Sequence, residues 1–166
     1  MTTNKIKNIL TLIHKELTRN KNTIAVAESC TGGALSRLFT KYPGSSRYFV
    51  LGIVAYSEQS KEKLLKIPRK TITGHGAVSK IVAELMAKNI RKIAKTDFSL
   101  STTGIAGPDG AIKNTPVGTV FIAARSGNKL ICRKFRFSGT RTKVITKTCA
   151  KALEILAELI CAYSSP

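Results

Sequence analysis

The sequence predicts an α/β fold, a single three-layer α/β/α domain built around a mixed β-sheet. Along most of the chain, short apolar segments of strand length alternate with segments of helical periodicity, which is the pattern of parallel strands joined by helices. Near the end, two strand-like segments, 118–125 and 130–137, flank Ser126-Gly127-Asn128, a hairpin signal that adds antiparallel strands to the sheet.

The first predicted element is an amphipathic helix at residues 4–20, because Ile6, Ile9, Ile13 and Leu17 recur at helical spacing. The elements predicted after it are a strand at 23–27, a helix at 34–41, a strand at 48–56, a helix at 58–67 that Pro68 ends, a loop at 73–76, a helix capped by Ser79 and running to 94, a strand at 98–102, a long loop at 104–116, the two hairpin strands and a closing helix at 140–160.

The length of the chain favours one domain. A chain of 166 residues buries one substantial core, so we assign residues 1–166 to a single domain, with the first helix within 1–22 and the core over 23–161. No apolar segment approaches the ~20 residues that span a bilayer, and the first residues do not form the apolar centre of a secretion signal. We therefore expect a soluble, cytoplasmic protein that does not bind a membrane.

The cysteines and glycines suggest neither a metal nor a cofactor. The four cysteines, Cys30, Cys132, Cys149 and Cys161, form no CxxC pair, and only two histidines accompany them. A zinc site is therefore not expected, and the cysteines are interpreted as reduced thiols. The glycine-rich segment 104–110 matches neither a P-loop nor a dinucleotide fingerprint, so no ATP or NAD cofactor is inferred.

The net charge of +19 arises from 28 lysines and arginines against nine acidic residues. Such a charge is consistent with nucleic-acid binding, or with a solvated lysine-rich surface that attracts small anions. The basic residues are scattered, and the densest groups, at 61–70 and 133–136, offer little aromatic surface for base stacking. The surface interpretation is favoured, and nucleic-acid binding is the weaker alternative.

Polar residues follow three predicted strands at their carboxyl ends, where ligands bind in open α/β sheets. The first strand leads into the segment 28–33, the second into Tyr56 and Ser57, and the third into the segment 102–104. If these strands are parallel, the three groups converge at one edge of the sheet. The start of the helix after residue 33 also presents backbone N–H groups that favour an anion.

Ser29 is a candidate nucleophile, and a serine hydroxyl needs a base to take its proton. His75 is one candidate base. Lys61 is the stronger candidate, because a lysine in a pocket near other cations has a lowered pKa. Tyr56, five positions before Lys61, is a candidate proton relay or substrate-orienting group.

Two further residues have more than one interpretation. Cys30 is an alternative nucleophile, since a thiol at a helix start ionises readily, and with His75 it would make a cysteine amidase; a buried structural cysteine is the other interpretation. Arg141 lies in the first turn of the closing helix, where a cation opposes the helix dipole. That placement suggests an anionic ligand beside Arg141, to which a bidentate phosphate contact would fit.

Five sequence blocks together resemble a known family. In chain order they are Ala27-Glu28-Ser29-Cys30-Thr31-Gly32-Gly33, Val54-Ala55-Tyr56-Ser57 with Lys61, His75-Gly76-Ala77-Val78-Ser79, Thr103-Gly104-Ile105-Ala106-Gly107-Pro108-Asp109-Gly110 and Pro116-Val117-Gly118-Thr119-Val120. This arrangement resembles the CinA C-terminal domain family, the nicotinamide-nucleotide amidohydrolases (NMN deamidases), over residues 23–160. The chain is most similar to the stand-alone amidase form, which lacks the larger N-terminal domain of full-length CinA proteins.

The resemblance implies a metal-free hydrolysis of the carboxamide of nicotinamide mononucleotide (NMN) to nicotinate mononucleotide and ammonia. It implies Ser29 as the nucleophile, with Tyr56 and Lys61 as the partners that activate it. The residues expected to bind the nucleotide are Cys30, Thr31, Gly32, Gly33, Thr103, Gly104 and Arg141. Whether the reaction passes through an acyl-enzyme or through direct attack by water is left open.

The chain departs from the family pattern at five positions. Leu51 replaces a glycine, Glu58 an asparagine, Ala111 a glycine, Thr115 a lysine and Thr140 an aspartate. None of these changes removes a proposed catalytic group; they bear on substrate affinity and on the shape of the loops.

These departures motivate an alternative, a non-catalytic nucleotide-binding or regulatory member of the same fold. The apolar residues of the second strand and of the terminal helices also favour a homo-oligomer, and a dimer in particular.

Overall fold

A five-stranded mixed sheet lies at the centre of the chain in a computed structural model, which describes residues 3–112 and 115–164. In chain order the elements are α1 (Thr3–Arg19), β1 (Ile24–Glu28), α2 (Ala34–Phe39), a 3₁₀ turn (Ser45–Arg47), β2 (Phe49–Val54), α3 (Glu58–Leu65), α4 (Arg69–His75), α5 (Lys80–Ala94), β3 (Phe98–Gly104), β4 (Thr119–Ser126), β5 (Lys129–Arg136) and α6 (Arg141–Ser164). Residues 1–2 and 165–166 of the assigned domain, and 113–114 of the predicted loop 104–116, lie outside the described residues.

The strand order in the sheet is β2-β1-β3-β4-β5. β1 pairs in parallel with β2 and with β3, and Glu28 at its end lies opposite Val54 and Thr102. β4 runs antiparallel to β3, and β5 pairs with β4 as the predicted hairpin. The carboxyl ends of the first three strands therefore meet at one edge of the sheet, which is the arrangement that the sequence required.

Helices cover both faces of the sheet. On one face α1, α2 and α6 enclose a core that includes Leu10, Leu100 and Leu156, and on the other α3, α4 and α5 pack around Met86 and Ile90. The predicted three-layer α/β fold with a mixed sheet is confirmed. None of the helices in the described ranges has the length and hydrophobicity that crossing a membrane requires.

One predicted element was wrong. The segment 73–76 was expected to be a loop, but Arg69–His75 forms α4. The preceding helix ends at Leu65, with Lys66 as its C-cap at a φ of +54°, and the φ of −59° at Pro68 suits the start of a new helix. The buried side chain of Ile72 anchors α4, and Gly76 ends it with a φ of +80°.

The turn from β1 into α2 is held by the carboxylate of Glu28, which is fully buried. This carboxylate accepts hydrogen bonds from the amides of Gly33, Leu35 and Ser36 and from the Ser36 hydroxyl, at 2.6 to 3.0 Å. A negative charge at a helix N-terminus is favoured by the helix dipole. Gly52 on β2 leaves room for this network, because a Cβ there would lie 2.4 Å from Oγ of Ser36.

We expect Glu28→Gln to lower the free energy of unfolding by about 2–4 kcal/mol, since the new amide group would face N–H donors instead of accepting from them. Chemical denaturation measures this change. The matched control is Glu62→Gln on α3, a half-buried position at which we expect a change within about 0.5 kcal/mol. Equal losses in the two variants would contradict the role assigned to Glu28.

Candidate active site

A cavity of about 220 Å³ opens at the edge of the sheet where β1, β2 and β3 end. Its walls come from the turn after β1, the segment after β2, the segment before α5, the end of β3 with the loop that follows, and the first residue of α6. The lining residues are Ser29, Cys30, Tyr56, Lys61, Ala77, Val78, Thr103, Gly104, Ile105, Ala106, Gly107, Asp109, Gly110 and Arg141. The structure thus brings together seven of the ten predicted site residues.

The amine of Lys61 is buried against the hydroxyl of Ser29. Lys61 is only 2% exposed to solvent, and its Nζ lies 3.0 Å from Oγ of Ser29. Nζ also donates to the backbone carbonyls of Ala55, at 2.8 Å, and of Tyr56, at 3.2 Å. The pair predicted from the sequence as nucleophile and base is therefore in hydrogen-bond contact.

Burial lowers the pKa of Lys61, and this effect outweighs the opposing influence of the thiol of Cys30 and the carboxylate of Glu58. A neutral lysine amine has two N–H donors and one lone pair. In the neutral form the carbonyls of Ala55 and Tyr56 would take the two donors, and the lone pair would accept the proton of Ser29. The geometry suits a general base next to a serine.

The local sequence explains why Lys61 points inward. Ser57 caps α3 in a reciprocal capping box with Ser60, which fixes the start of the helix immediately after β2. Lys61 and Leu65, one helical turn apart, are the two residues of α3 that are buried. The helix start therefore determines which side of α3 faces the sheet.

Tyr56 and Arg141 form a second pair at the cavity. Nη2 of Arg141 donates to the Tyr56 hydroxyl at 2.8 Å, and Nη1 donates to the carbonyl of Gly107 at 3.0 Å. The Tyr56 hydroxyl therefore contacts Arg141, and the contact of Tyr56 with Lys61 uses its backbone carbonyl. Among the ion pairs of the described residues, none involves Arg141, so its charge is available to a ligand.

Thr140 provides the start of α6 that positions Arg141. Its hydroxyl accepts from the amide of Lys143 at 3.4 Å, and its carbonyl accepts from Val144. A threonine at this position therefore fills the capping role for which aspartate is also suited.

Three predicted binding residues lie outside the cavity lining. The Thr31 hydroxyl is buried against that of Thr102 at 2.8 Å, Gly32 is exposed, and the amide of Gly33 donates to Glu28. The anion site expected at the start of α2 is thus already filled by the protein's own carboxylate. The sequence alone did not reveal this use of Glu28, because a glutamate at the end of a strand can equally well face a ligand.

Cys30 lines the cavity, but its thiol remains protonated. Burial raises the pKa of Cys30 to about 12. His75, the base that a cysteine amidase would need, lines a separate depression with Lys88 and Arg125. Because α4 carries His75 to that place, the structure does not form the Cys30–His75 pair.

Thr103 and Gly104 form the β3 side of the cavity. The Thr103 hydroxyl donates to the carbonyl of Ala77 at 2.8 Å, which ties β3 to the segment before α5. A Cβ on Gly104 would lie 2.7 Å from both the carbonyl oxygen of Thr119 and a methyl of Val120, so only glycine fits. Sequence reasoning did not assign Ala77 to the site, although its block, 75–79, was one of the five that carried the resemblance.

Comparisons with known proteins agree with this arrangement. The protein-family model described as the CinA C-terminal domain matches residues 6–160 of the chain. A protein of Thermoanaerobacter pseudethanolicus named as competence-damage inducible is 46% identical over 145 residues, which are 87% of this chain and 35% of that protein. A CinA-like protein of Syntrophus aciditrophicus is 44% identical over 90% of this chain and 36% of its own length. The chain thus spans about a third of the length of these relatives.

Solved structures match the chain over nearly their whole length. The competence/damage inducible protein CihA of Agrobacterium tumefaciens has a TM-score of 0.91 at 32% identity, covering 93% of this chain and 95% of its own. A CinA superfamily protein of Escherichia coli has a TM-score of 0.91 at 28% identity, covering 96% and 93%. The chain therefore belongs to the CinA C-terminal domain family.

Proposed function

We propose that the chain is a serine amidohydrolase that cleaves the carboxamide of nicotinamide mononucleotide to nicotinate mononucleotide and ammonia. The observation that carries this proposal is the contact of 3.0 Å between Nζ of the buried Lys61 and Oγ of Ser29. A buried lysine whose amine donates hydrogen bonds to two backbone carbonyls is suited to act as the base that activates a serine.

In the proposed first step, Oγ of Ser29 attacks the carboxamide carbon while its proton passes to Nζ of Lys61. The carbonyl π bond opens to a tetrahedral oxyanion. The amide of Cys30, a residue that lines the cavity, directly follows the nucleophile, and among the described backbone hydrogen bonds it does not donate to a carbonyl. This donor would stabilise the oxyanion, an interaction that typically contributes about 3 kcal/mol per donor.

The second step breaks the carbon–nitrogen bond. Lys61 returns the proton to the leaving nitrogen, which departs as ammonia and leaves an ester on Ser29. Water then attacks the ester as Lys61 takes a proton from it, and collapse of the second tetrahedral intermediate releases the carboxylate product. The proton on Lys61 returns to Oγ of Ser29, so one amide and one water give one acid and one ammonia.

The rim of the cavity at Arg141 suits a phosphate. Arg141 is at the exposed rim, and its guanidinium is held by Tyr56 and by the Gly107 carbonyl. In the proposed complex the nicotinamide ring occupies the interior beside Ser29, and the phosphate reaches Arg141. A guanidinium binds phosphate through charge-assisted hydrogen bonds.

Ser29→Ala and Lys61→Met should each lower kcat for ammonia release from NMN by about 10³-fold or more, because they remove the nucleophile or its base. Cys30→Ala is the matched control and should keep most of the rate. Loss of activity in Cys30→Ala with retention in Ser29→Ala would overturn the serine mechanism. If the wild-type protein binds NMN in calorimetry but releases no ammonia, the non-catalytic alternative holds instead.

We expect kcat/KM to rise with pH through the pKa of Lys61, because only the neutral amine accepts the serine proton. This rising limb of the pH profile should lie below the ordinary pKa of a lysine, since burial lowers the pKa of Lys61. Glu58→Gln should move the limb to lower pH, because the carboxylate raises the pKa of Lys61. Glu62→Gln, one turn further along α3, is the control and should leave the limb in place; a shift to higher pH in Glu58→Gln contradicts the account.

Arg141→Gln should raise KM for NMN by about 10- to 100-fold with a smaller effect on kcat, the loss expected for charged hydrogen bonds. Tyr56→Phe should act in the same direction more weakly, since it removes a support of Arg141. Nicotinamide riboside, which lacks the phosphate, is the control substrate. If its KM rises as much as that of NMN in Arg141→Gln, the phosphate contact is refuted.

A further inference from the structure

A second cavity, of about 590 Å³, lies between α1, α2 and α6 on one face of the sheet. It arises because α2 has six residues and stands beside helices of 17 and 24 residues, so it leaves part of the groove between them uncovered. The volume falls within the range of about 300–1,000 Å³ that is typical of small-molecule sites. The residues that line this groove are not those of the catalytic cavity.

The inner wall of the groove is apolar. Ile6 from α1, Leu38 from α2 and Ile145 from α6 are half-buried and pack with one side against the core. Their other side lines the groove. An aliphatic chain placed there would remove apolar surface from water, at roughly 25 cal/mol per Å².

The rim of the groove is cationic. Arg37 on α2 and Lys41, two residues after the end of α2, both line it, and both are exposed. No ion pair of the described residues includes either side chain, and no carboxylate residue lines the groove. An apolar wall with two free cations at its rim complements a molecule with an aliphatic body and an anionic head.

We propose that this groove binds a small amphiphilic anion, an aliphatic carboxylate of medium chain length. The chain lies along Ile6, Leu38 and Ile145, and the carboxylate contacts Arg37 and Lys41. The lining of this groove shares no residue with that of the catalytic cavity, so the proposal does not rest on the proposed amide hydrolysis.

The test is calorimetric titration of the full chain with decanoate, below its micelle concentration. We expect saturable binding of one decanoate per chain. The double variant Arg37→Gln, Lys41→Gln should weaken binding by about five- to tenfold, the loss expected for two exposed ion pairs. Decan-1-ol, which has the same chain without the charge, should bind more weakly than decanoate to the wild-type protein.

A charge-matched control separates this site from general attraction to a basic protein. Lys88→Gln, Lys92→Gln removes the same charge from α5, on the opposite face of the sheet, and should leave decanoate affinity unchanged. Methyl NMR signals of Ile6 and Ile145 should shift on titration. Equal weakening in both double variants, equal binding of decan-1-ol or unshifted methyl signals would each overturn the proposal.

A second copy of this chain is the other molecule that could occupy the groove, and sedimentation velocity distinguishes it from a bound carboxylate. If Ile145→Glu converts a dimer to a monomer and decanoate does not bind to the wild-type protein, the groove is a dimer interface and the proposal is wrong. None of these measurements uses turnover, so their outcome does not depend on whether the chain hydrolyses NMN.

Discussion

The site depends on the burial of one amine. Lys61 is held away from water by the end of β2 and the start of α3, and the two backbone carbonyls beside it accept its donors. A charged lysine is costly in such a place, so the fold shifts the balance towards the neutral form, which is the form a base requires. In that neutral form, the same contacts would leave the lone pair directed at Ser29.

A second buried group, the carboxylate of Glu28, determines where the site can bind an anion. Helix N-termini commonly bind anions, but here the carboxylate of Glu28 occupies the N-terminus of α2 and holds the turn that carries Ser29. The group that can bind an anion in the cavity is instead Arg141, whose guanidinium is fixed by two hydrogen bonds. In the proposed function, the bond to be cleaved and the phosphate are therefore bound by different residues of one cavity.

The sequence predicted the layers, the mixed sheet and the Ser29–Lys61 pair, because periodicity and strand-end residues report directly on topology. It did not predict α4, since Pro68 reads as a helix end and also suits a helix start. It placed Thr31 and Gly33 at the ligand, because a backbone donor looks the same in sequence whether a ligand or Glu28 accepts from it. The direction of the Tyr56 hydroxyl towards Arg141 depends on residues 85 positions apart and has no local signature.

The role of Lys61 as the base is tested most directly by its own pKa, measured by NMR titration of the lysine Cε–Hε signals and assigned with Lys61→Met. We expect the Lys61 signal to titrate at lower pH than the other lysines, because its amine is buried. A signal that titrates together with the surface lysines, or above them, would show that the amine stays charged at neutral pH. Lys61 would then stabilise negative charge at Ser29, and it could not serve as the base.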